Sequence, residues 1–502
     1  MRYRATIFTA CILLSAVLLV IIFFHPTTPS NEQSTPSSST LDEYRFLFKN
    51  CWFEVPWQEN IRCGELHTAA STGSFVLPVV IIEDPGYDKK PDAVFYLQGG
   101  PGASAGLNDE GIAYWLRWRD NMALGRDLIL MDPRGTGRSR PALQCREYDE
   151  LSLAVLKRNA TVLEELREGY TVLDGCFAQL RKAKPPFNPE HYGTQRHAQD
   201  VRALMKLLPY EQWNLLGVSY GTRVAIEAAN VHAGSKNNPV RSLILDSIYP
   251  ANRGGVTSFP AVLDRAFANF FQWCEATESC ATDLPIELAL DAALSQLRET
   301  PVTLTVARHN GDIPIELVVN DHRFISAVFS ALYSKHQWPR IPNAINAVID
   351  NDNRALLSLM EPFVENALDD GFYSLVFMAV DCRDHGISSR EAYQQELEKY
   401  PRWREYTSDL WQYQACHFLS EGSVTVASTL ALPDVPALIL AGKLDPITPV
   451  EWAQSLHREW PNSQLHVVPN TGHAVINSDD CVYQSLRSFL DEPTKPVVFC
   501  GE

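Results

Sequence analysis

The sequence predicts a doubly wound α/β fold: a mostly parallel sheet with helices on both faces, interrupted by a large, mainly helical insertion. Three observations carry this. Short apolar runs at residues 75–82, 93–97, 127–131, 213–216, 240–245, 437–440 and 464–468 lack strict polar alternation, as strands buried on both faces do. Helix-like stretches at 197–208, 224–232 and 481–490 fall between or after them. From Tyr249 to about residue 430 the rhythm stops, and the chain becomes rich in helix formers and aromatics, including Phe270, Phe271, Trp273, Tyr333, Trp338, Trp403 and Trp411.

Taken in order, the chain begins with Arg2 and Arg4 ahead of twenty uncharged residues, 5–24, enough to cross a hydrocarbon core as a helix. No good small-residue cleavage site follows, which favours an uncleaved anchor over a removed signal peptide. Residues 1–25 are therefore expected to be a membrane anchor or signal segment, and 26–40, rich in Ser, Thr and Pro, a tether. The core is expected over 41–249 and 431–502, with a cap over 250–430. Pro78 interrupts the run 75–82, so that strand is expected at an edge, in an antiparallel opening part of the sheet. An insertion between two late strands would sit over the carboxyl ends of the sheet, where ligands bind in open parallel sheets.

At 502 residues the chain exceeds a single hydrophobic core, and 45% hydrophobic with 21% charged residues is an ordinary globular composition. A formal net charge of −17 repels a phosphate backbone, and there is no basic stripe with interleaved aromatics, so nucleic acid is excluded as a partner. Beyond the apolar segment stand Cys51, Cys63, Cys145, Cys176, Cys274, Cys280, Cys382, Cys416, Cys481 and Cys500. An even count in an exported chain points to disulfides, and pairing neighbours in order gives five short loops that need not cross. None has the spacing of a zinc site, and no metal or cofactor is expected. The body of the protein is expected outside the cytoplasm, periplasmic and anchored, or secreted if the segment is cleaved. The sequence leaves the oligomeric state open.

The chemistry is concentrated in four loops, each directly after a strand-like run. Gly217-Val218-Ser219-Tyr220-Gly221 lies between run 213–216 and a helix-like stretch, the setting of a turn that presents a nucleophilic serine. A serine hydroxyl needs a neutral base beside it and a third group to hold that base in the right tautomer. Asp445 follows run 437–440, and His473, alone among thirteen histidines in this placement, follows run 464–468. The order Ser219, Asp445, His473 is the one used by this kind of sheet. Negative charge on an attacked carbonyl needs backbone donors, expected from Tyr220 and from Gly100 in Gln98-Gly99-Gly100-Pro101-Gly102. Asp132-Pro133-Arg134-Gly135-Thr136-Gly137-Arg138-Ser139 lacks the spacing of either nucleotide-binding loop and is expected to be a structural turn bordering the site.

These motifs, with Asp445-x-x-Thr448-Pro449 and Gly472-His473, resemble the prolyl aminopeptidase and exported tripeptidyl aminopeptidase branch of the α/β-hydrolases, across residues 41–500. In that branch the first oxyanion loop usually begins with His, where this chain has Gln98; the backbone donor is unaffected. The resemblance implies an α/β-hydrolase fold and a serine exopeptidase that releases residues or short peptides from free N-termini. It also implies acidic cap residues that hold the substrate ammonium. Asp384, in Asp381-Cys382-Arg383-Asp384, matches a pattern of the group and is the candidate; capping a helix or pairing with Arg383 or Arg390 are its alternatives. A carboxylic ester hydrolase with the same three side chains, and a non-catalytic binding protein on the same fold, remain as other readings.

Overall fold

The computed structural model describes residues 44–184, 186–230, 238–280, 284–307, 313–385, 390–407, 416, 419, 432–477 and 481–499. The anchor and tether lie outside these residues, as do Cys500, Trp411 and most of 408–431. Among the described residues no helix is long and apolar enough to cross a membrane.

The strands among the described residues are β1 (Arg45–Lys49), β2 (Ile61–His67), β3 (Val76–Ile82), β4 (Ala93–Leu97), β5 (Asp127–Met131), β6 (Trp213–Val218), β7 (Val240–Asp246), β8 (Val302–Val306), β9 (Ile315–Val319), β10 (Ala437–Gly442) and β11 (Ser463–Val468). Nine form one sheet in the order β1-β2-β3-β5-β4-β6-β7-β10-β11. From β5 to β11 every pairing is parallel, while β1, β2 and β3 join antiparallel. The α-helices with described bounds are α1 (Asp109–Met122), α2 (Arg146–Leu156), α3 (Val162–Lys182), α4 (Thr194–Leu207), α5 (Tyr220–Asn230), α6 (Phe259–Glu275), α7 (Ile286–Glu299), α8 (Asp321–Ala331), α9 (Arg340–Asp350), α10 (Asn353–Ala367), α11 (Ser374–His385), α12 (Arg390–Leu397), α13 (Arg404–Thr407), α14 (Val450–Glu459) and α15 (Cys481–Asp491).

The absence of alternation in the central runs has the expected cause, since β4, β5, β6 and β10 are buried along their whole length. Along β4, Ala93, Phe95 and Leu97 enter one apolar core with α4 and α5; Val94 and Tyr96 enter another with α1 and α15. The edge expected for the Pro78 strand is corrected: β3 lies between β2 and β5. Its pairing with β5 ends at Val79 opposite Met131, so the missing Pro78 N–H faces the end of a ladder, while Pro78 O still accepts from Asp132 N at 3.1 Å. The strands that cover it, β1 and β2, carry Arg45, Lys49, Arg62, Glu65 and His67, which break the uninterrupted apolar run seen in the central strands.

Between β7 and β10 the chain builds α6 to α13 and the β8–β9 hairpin; α11 packs into the core against the sheet, while α6 to α10 and the hairpin surround a second core. Phe270, Trp338 and Trp403 are buried there, and Phe271 and Trp273 pack against it. Among the described residues four disulfides join Cys51 to Cys63, Cys145 to Cys176, Cys274 to Cys280 and Cys382 to Cys416, four of the five neighbour-in-order pairs; the fifth, Cys481 with Cys500, falls on Cys500, which lies outside them. Such bridges persist in oxidising compartments, so the body of this protein is extracytoplasmic.

The loop after β5 is a structural junction. Asp132 accepts from Ala105 N at 2.7 Å and Arg138 N at 2.8 Å. Arg134 makes two bonds to the Asp200 carboxylate of α4, at 2.6 and 2.7 Å, and a third to His191 O at 3.0 Å. Both side chains are buried, so removing one strands the other's charge. Arg134→Met should destabilise the protein by about 3–5 kcal/mol. The shift of the urea midpoint measures this, and Arg134→Met/Asp200→Leu should recover part of the loss.

Candidate active site

Ser219 occupies a one-residue reversal between β6, ending at Val218, and α5, starting at Tyr220. Its φ of 55° lies in the left-handed region that non-glycine residues seldom adopt. The flanking glycines are a steric necessity: a Cβ on Gly217 would come within 2.4 Å of Gly221 O, and one on Gly221 within 2.0 Å of Leu97 O. Ser219 N donates to Asp246 O at 2.9 Å, tying the turn to the end of β7.

Asp445 and His473 meet, although 28 positions apart. His473 Nδ1 lies 2.8 Å from Asp445 Oδ2, and Asp445 is fully buried. The carboxylate also accepts Ile447 N at 2.9 Å, Thr448 N at 2.8 Å and Thr448 Oγ1 at 2.7 Å. Burial alone would raise the pKa of Asp445, but His473 and Thr448 outweigh it and hold the group below the usual carboxylate range. Burial likewise works against a charged His473, and Asp445 with Asp246 overcomes it, so the imidazole titrates above its ordinary value. Carboxylate on Nδ1 leaves Nε2 for other chemistry.

Ser219 and His473 line one cavity of about 670 Å³, with Gly99, Gly100, Thr448, Tyr333, Trp452 and Asp381 also on its walls. Among the described residues no hydrogen bond joins Ser219 to His473; such bonds are often long in unliganded hydrolases and tighten on the substrate. Gly100 lines the same cavity as Ser219, and the Tyr220 N–H belongs to the first residue of α5, ahead of the intrahelical ladder. The Tyr220 side chain points the other way, its hydroxyl oxygen accepting from Thr194 Oγ1 at 3.2 Å. Gln98 is also turned from the cavity, its Nε2 donating to Met131 O at 3.1 Å.

Asp384 is not among the residues that line this cavity. It receives Thr194 N at 3.0 Å and Thr194 Oγ1 at the start of α4, and Arg223 Nη1 at 3.5 Å, so it serves as a helix-terminal acceptor. The carboxylate on the cavity wall is Asp381, one helical turn earlier on α11. Burial, with Asp384 adding and Arg223 opposing, pushes it up to about 7. Its neighbours are His385, 3.6 Å away, and Tyr249, whose hydroxyl lies 3.0 Å from His385 Nε2.

Sequence reasoning gave no role to several residues that shape the site. Asp246 ends β7; its side chain accepts Val475 N at 3.1 Å and Ile476 N at 2.8 Å in the loop that carries His473. Tyr333 packs its ring edge-to-face on the imidazole at 5.3 Å, and its carbonyl accepts His473 N at 2.9 Å. The insertion grips the loop after β4, with Tyr373 N bonded to Gly102 O and Ser104 N to Gly371 O, both at 2.9 Å. The only signal for Asp246 was its place at a strand end; Tyr333 had none beyond being aromatic.

A parallel sheet with helices on both faces and a serine at a strained strand-to-helix turn defines the hydrolase class built on this architecture. The chain belongs to the alpha/beta hydrolase fold family, which matches residues 92–479. It is 23% identical over 449 residues to "Serine protease Hip1" of Mycobacterium tuberculosis, covering 84% of this chain and 82% of the relative. It is 24% identical over 437 residues to "Tripeptidyl aminopeptidase" of Streptomyces lividans, covering 80% and 75%. With "Putative hydrolase YuaR" of Escherichia coli it shares 23% over 434 residues, covering 82% and 80%. The chain is therefore a hydrolase, similar to the tripeptidyl aminopeptidase branch that its motifs resemble.

Because the His473 pKa is raised above its ordinary value, a reaction that needs the neutral imidazole is lost as pH falls through that raised value. The acid limb of kcat/KM should therefore have its midpoint above about 6.5; a limb centred well below that would contradict the pairing with Asp445. Thr448→Val, which deletes one of four donors to the Asp445 carboxylate, should lower kcat by about tenfold or more, with little change in melting temperature.

Proposed function

We propose that the protein is an extracytoplasmic serine aminopeptidase that releases N-terminal residues or short peptides through an acyl-enzyme. Ser219 Oγ attacks the scissile carbonyl, and its proton passes to His473 Nε2 while Asp445 holds the Nδ1–H. The Tyr220 and Gly100 N–H groups receive the developing oxyanion. The tetrahedral adduct collapses, the leaving amine takes the proton from His473, and water activated by the same imidazole clears the acyl group. Residues 5–24 anchor the chain to a membrane, an assignment supported by their length and lack of charge.

The observation that carries the exopeptidase reading is the buried Asp381 carboxylate on the same cavity wall as Ser219 and His473. With its proton held up to about 7, Asp381 sits at the point where a cationic neighbour decides its charge. A substrate ammonium beside it would favour the carboxylate and form a charge-assisted bond away from bulk water. A cavity of about 670 Å³ suits a short peptide segment.

Chromogenic peptide amides with free and acetylated N-termini test this reading. The free forms should be preferred, and Asp381→Asn should reduce kcat/KM on them by about tenfold to a hundredfold, leaving acetylated amides unchanged. Equal turnover of both forms by the wild type would overturn the aminopeptidase assignment and favour a carboxylic ester hydrolase. A fluorophosphonate should label the wild type and spare Ser219→Ala; labelling of neither would favour a non-catalytic binding protein.

A further inference from the structure

A second cavity, of about 350 Å³, lies between the α2–α3 pair and the insertion helices α6 and α8. It shares three residues with the first: Tyr148, Phe259 and Phe329 line both. The two spaces therefore stand back to back across a partition of aromatic rings. Phe259 and Phe329 meet edge-to-face at 5.8 Å, Phe329 meets Tyr333 the same way at 5.8 Å, and Tyr333 reaches the His473 ring at 5.3 Å. An unbroken row of ring contacts thus runs from the second cavity to the imidazole.

The walls of the second cavity decide what it would take. Leu166, Leu173 and Leu263 line it with the aromatics, and its charged pole is already engaged. Glu165 accepts from Arg323 and lies 3.4 Å from His322 Nε2, and His322 in turn lies 3.8 Å from Asp321. No uncompensated charge at that pole invites an ion, so the gain on filling the space comes from apolar surface removed from water. The volume holds roughly ten methylene-sized groups at ~30 Å³ each.

We propose that this cavity is a distal subsite for a large apolar group on the acyl side of the substrate: a bulky aliphatic or aromatic side chain, or the tail of an acyl chain, that passes the aromatic partition. The proposal rests on Ser219 as the acyl acceptor, but not on recognition of a free N-terminus. Gly169, on α3, lines the cavity, and a Cβ there would meet Tyr148 Cε2 at 3.4 Å, an ordinary contact. Gly169→Leu would therefore fill the space without a backbone clash, and it replaces a poor helix former by a good one.

The test uses p-nitrophenyl acetate and octanoate, whose activated leaving group needs no N-terminal ammonium, on the full chain. The wild type should favour octanoate over acetate in kcat/KM by about tenfold or more. Gly169→Leu should abolish that preference while keeping acetate turnover within about twofold. An unchanged octanoate-to-acetate ratio in a Gly169→Leu protein of wild-type melting temperature would overturn the proposal, as would a wild type that favours acetate. Should Gly169→Leu fail to fold, Leu166→Phe takes its place: a lost octanoate preference supports the subsite, and an unchanged ratio overturns it. Failure of the free-amine preference with the octanoate effect intact would sink the aminopeptidase reading alone, and ester turnover surviving in Ser219→Ala would sink both.

Discussion

The chain has to reverse direction within a single residue at Ser219, and much of the molecule follows from that. The turn brings the backbones of β4, β6 and α5 so close that Gly217 and Gly221 admit no side chain. Strain of this kind survives only where the surroundings over-determine it. Here the anchor is the end of β7. The Asp246 carbonyl receives Ser219 N, while the Asp246 carboxylate receives Val475 N and Ile476 N from the loop that carries His473. One residue thus fixes the proposed nucleophile through its main chain and the proposed base through its side chain. Consecutive strands in the sheet, β6, β7, β10 and β11, deliver these groups to one end of the fold.

Three buried carboxylates near the cavity share a low-dielectric setting and differ in what faces them. Asp445 has two backbone donors, a hydroxyl and an imidazole, and stays ionised. Asp246 has two backbone donors, the Ser247 hydroxyl and a more remote His473, and burial pushes it up to about 6. Asp381 is pushed higher still, up to about 7, because a second carboxylate, Asp384, stands close by and the nearest fixed cation, Arg223, is shared with Asp384 and backbone carbonyls. All three are buried, and the donors and neighbouring charges decide where the charge stays. That distribution keeps an anion where the imidazole needs one and leaves Asp381 responsive to its neighbour.

The sheet was legible because strands covered on both faces leave uninterrupted apolar runs, and the candidate site because each reactive residue sits in a loop directly after such a run. β1 and β2 were not legible, since β1 is an exposed strand bounded by Arg45 and Lys49, and β2, though mostly buried, has its apolar residues interrupted by Arg62, Gly64, Glu65 and His67. The carboxylate facing the cavity was placed three residues away, at Asp384 instead of Asp381. Both lie on α11, and local sequence gives no phase for a helix buried along most of one length, whose Leu375, Val376, Met378, Ala379 and Val380 are all inside. The Tyr333 contact with His473 was invisible for a different reason: it depends on packing between elements far apart in the chain.

The insertion between β7 and β10 is more than a cover. It pairs with the oxyanion loop through residues 371–373, accepts the His473 N–H on the Tyr333 carbonyl, and donates from Arg265 to the Asp445 carbonyl. Each of the loops after β4, β10 and β11 therefore has part of its backbone held by the insertion. A loosely attached lid would leave those loops to water, and four backbone groups would need other partners. Displacing the insertion must therefore disturb the proposed base and the proposed oxyanion donors together. The same elements line the cavities, so a shift of the aromatic partition between them reaches the imidazole through Phe329 and Tyr333. In this architecture the rings that bound the substrate spaces and the loops that position the reactive groups are mechanically one unit, because both are held by the same inserted helices.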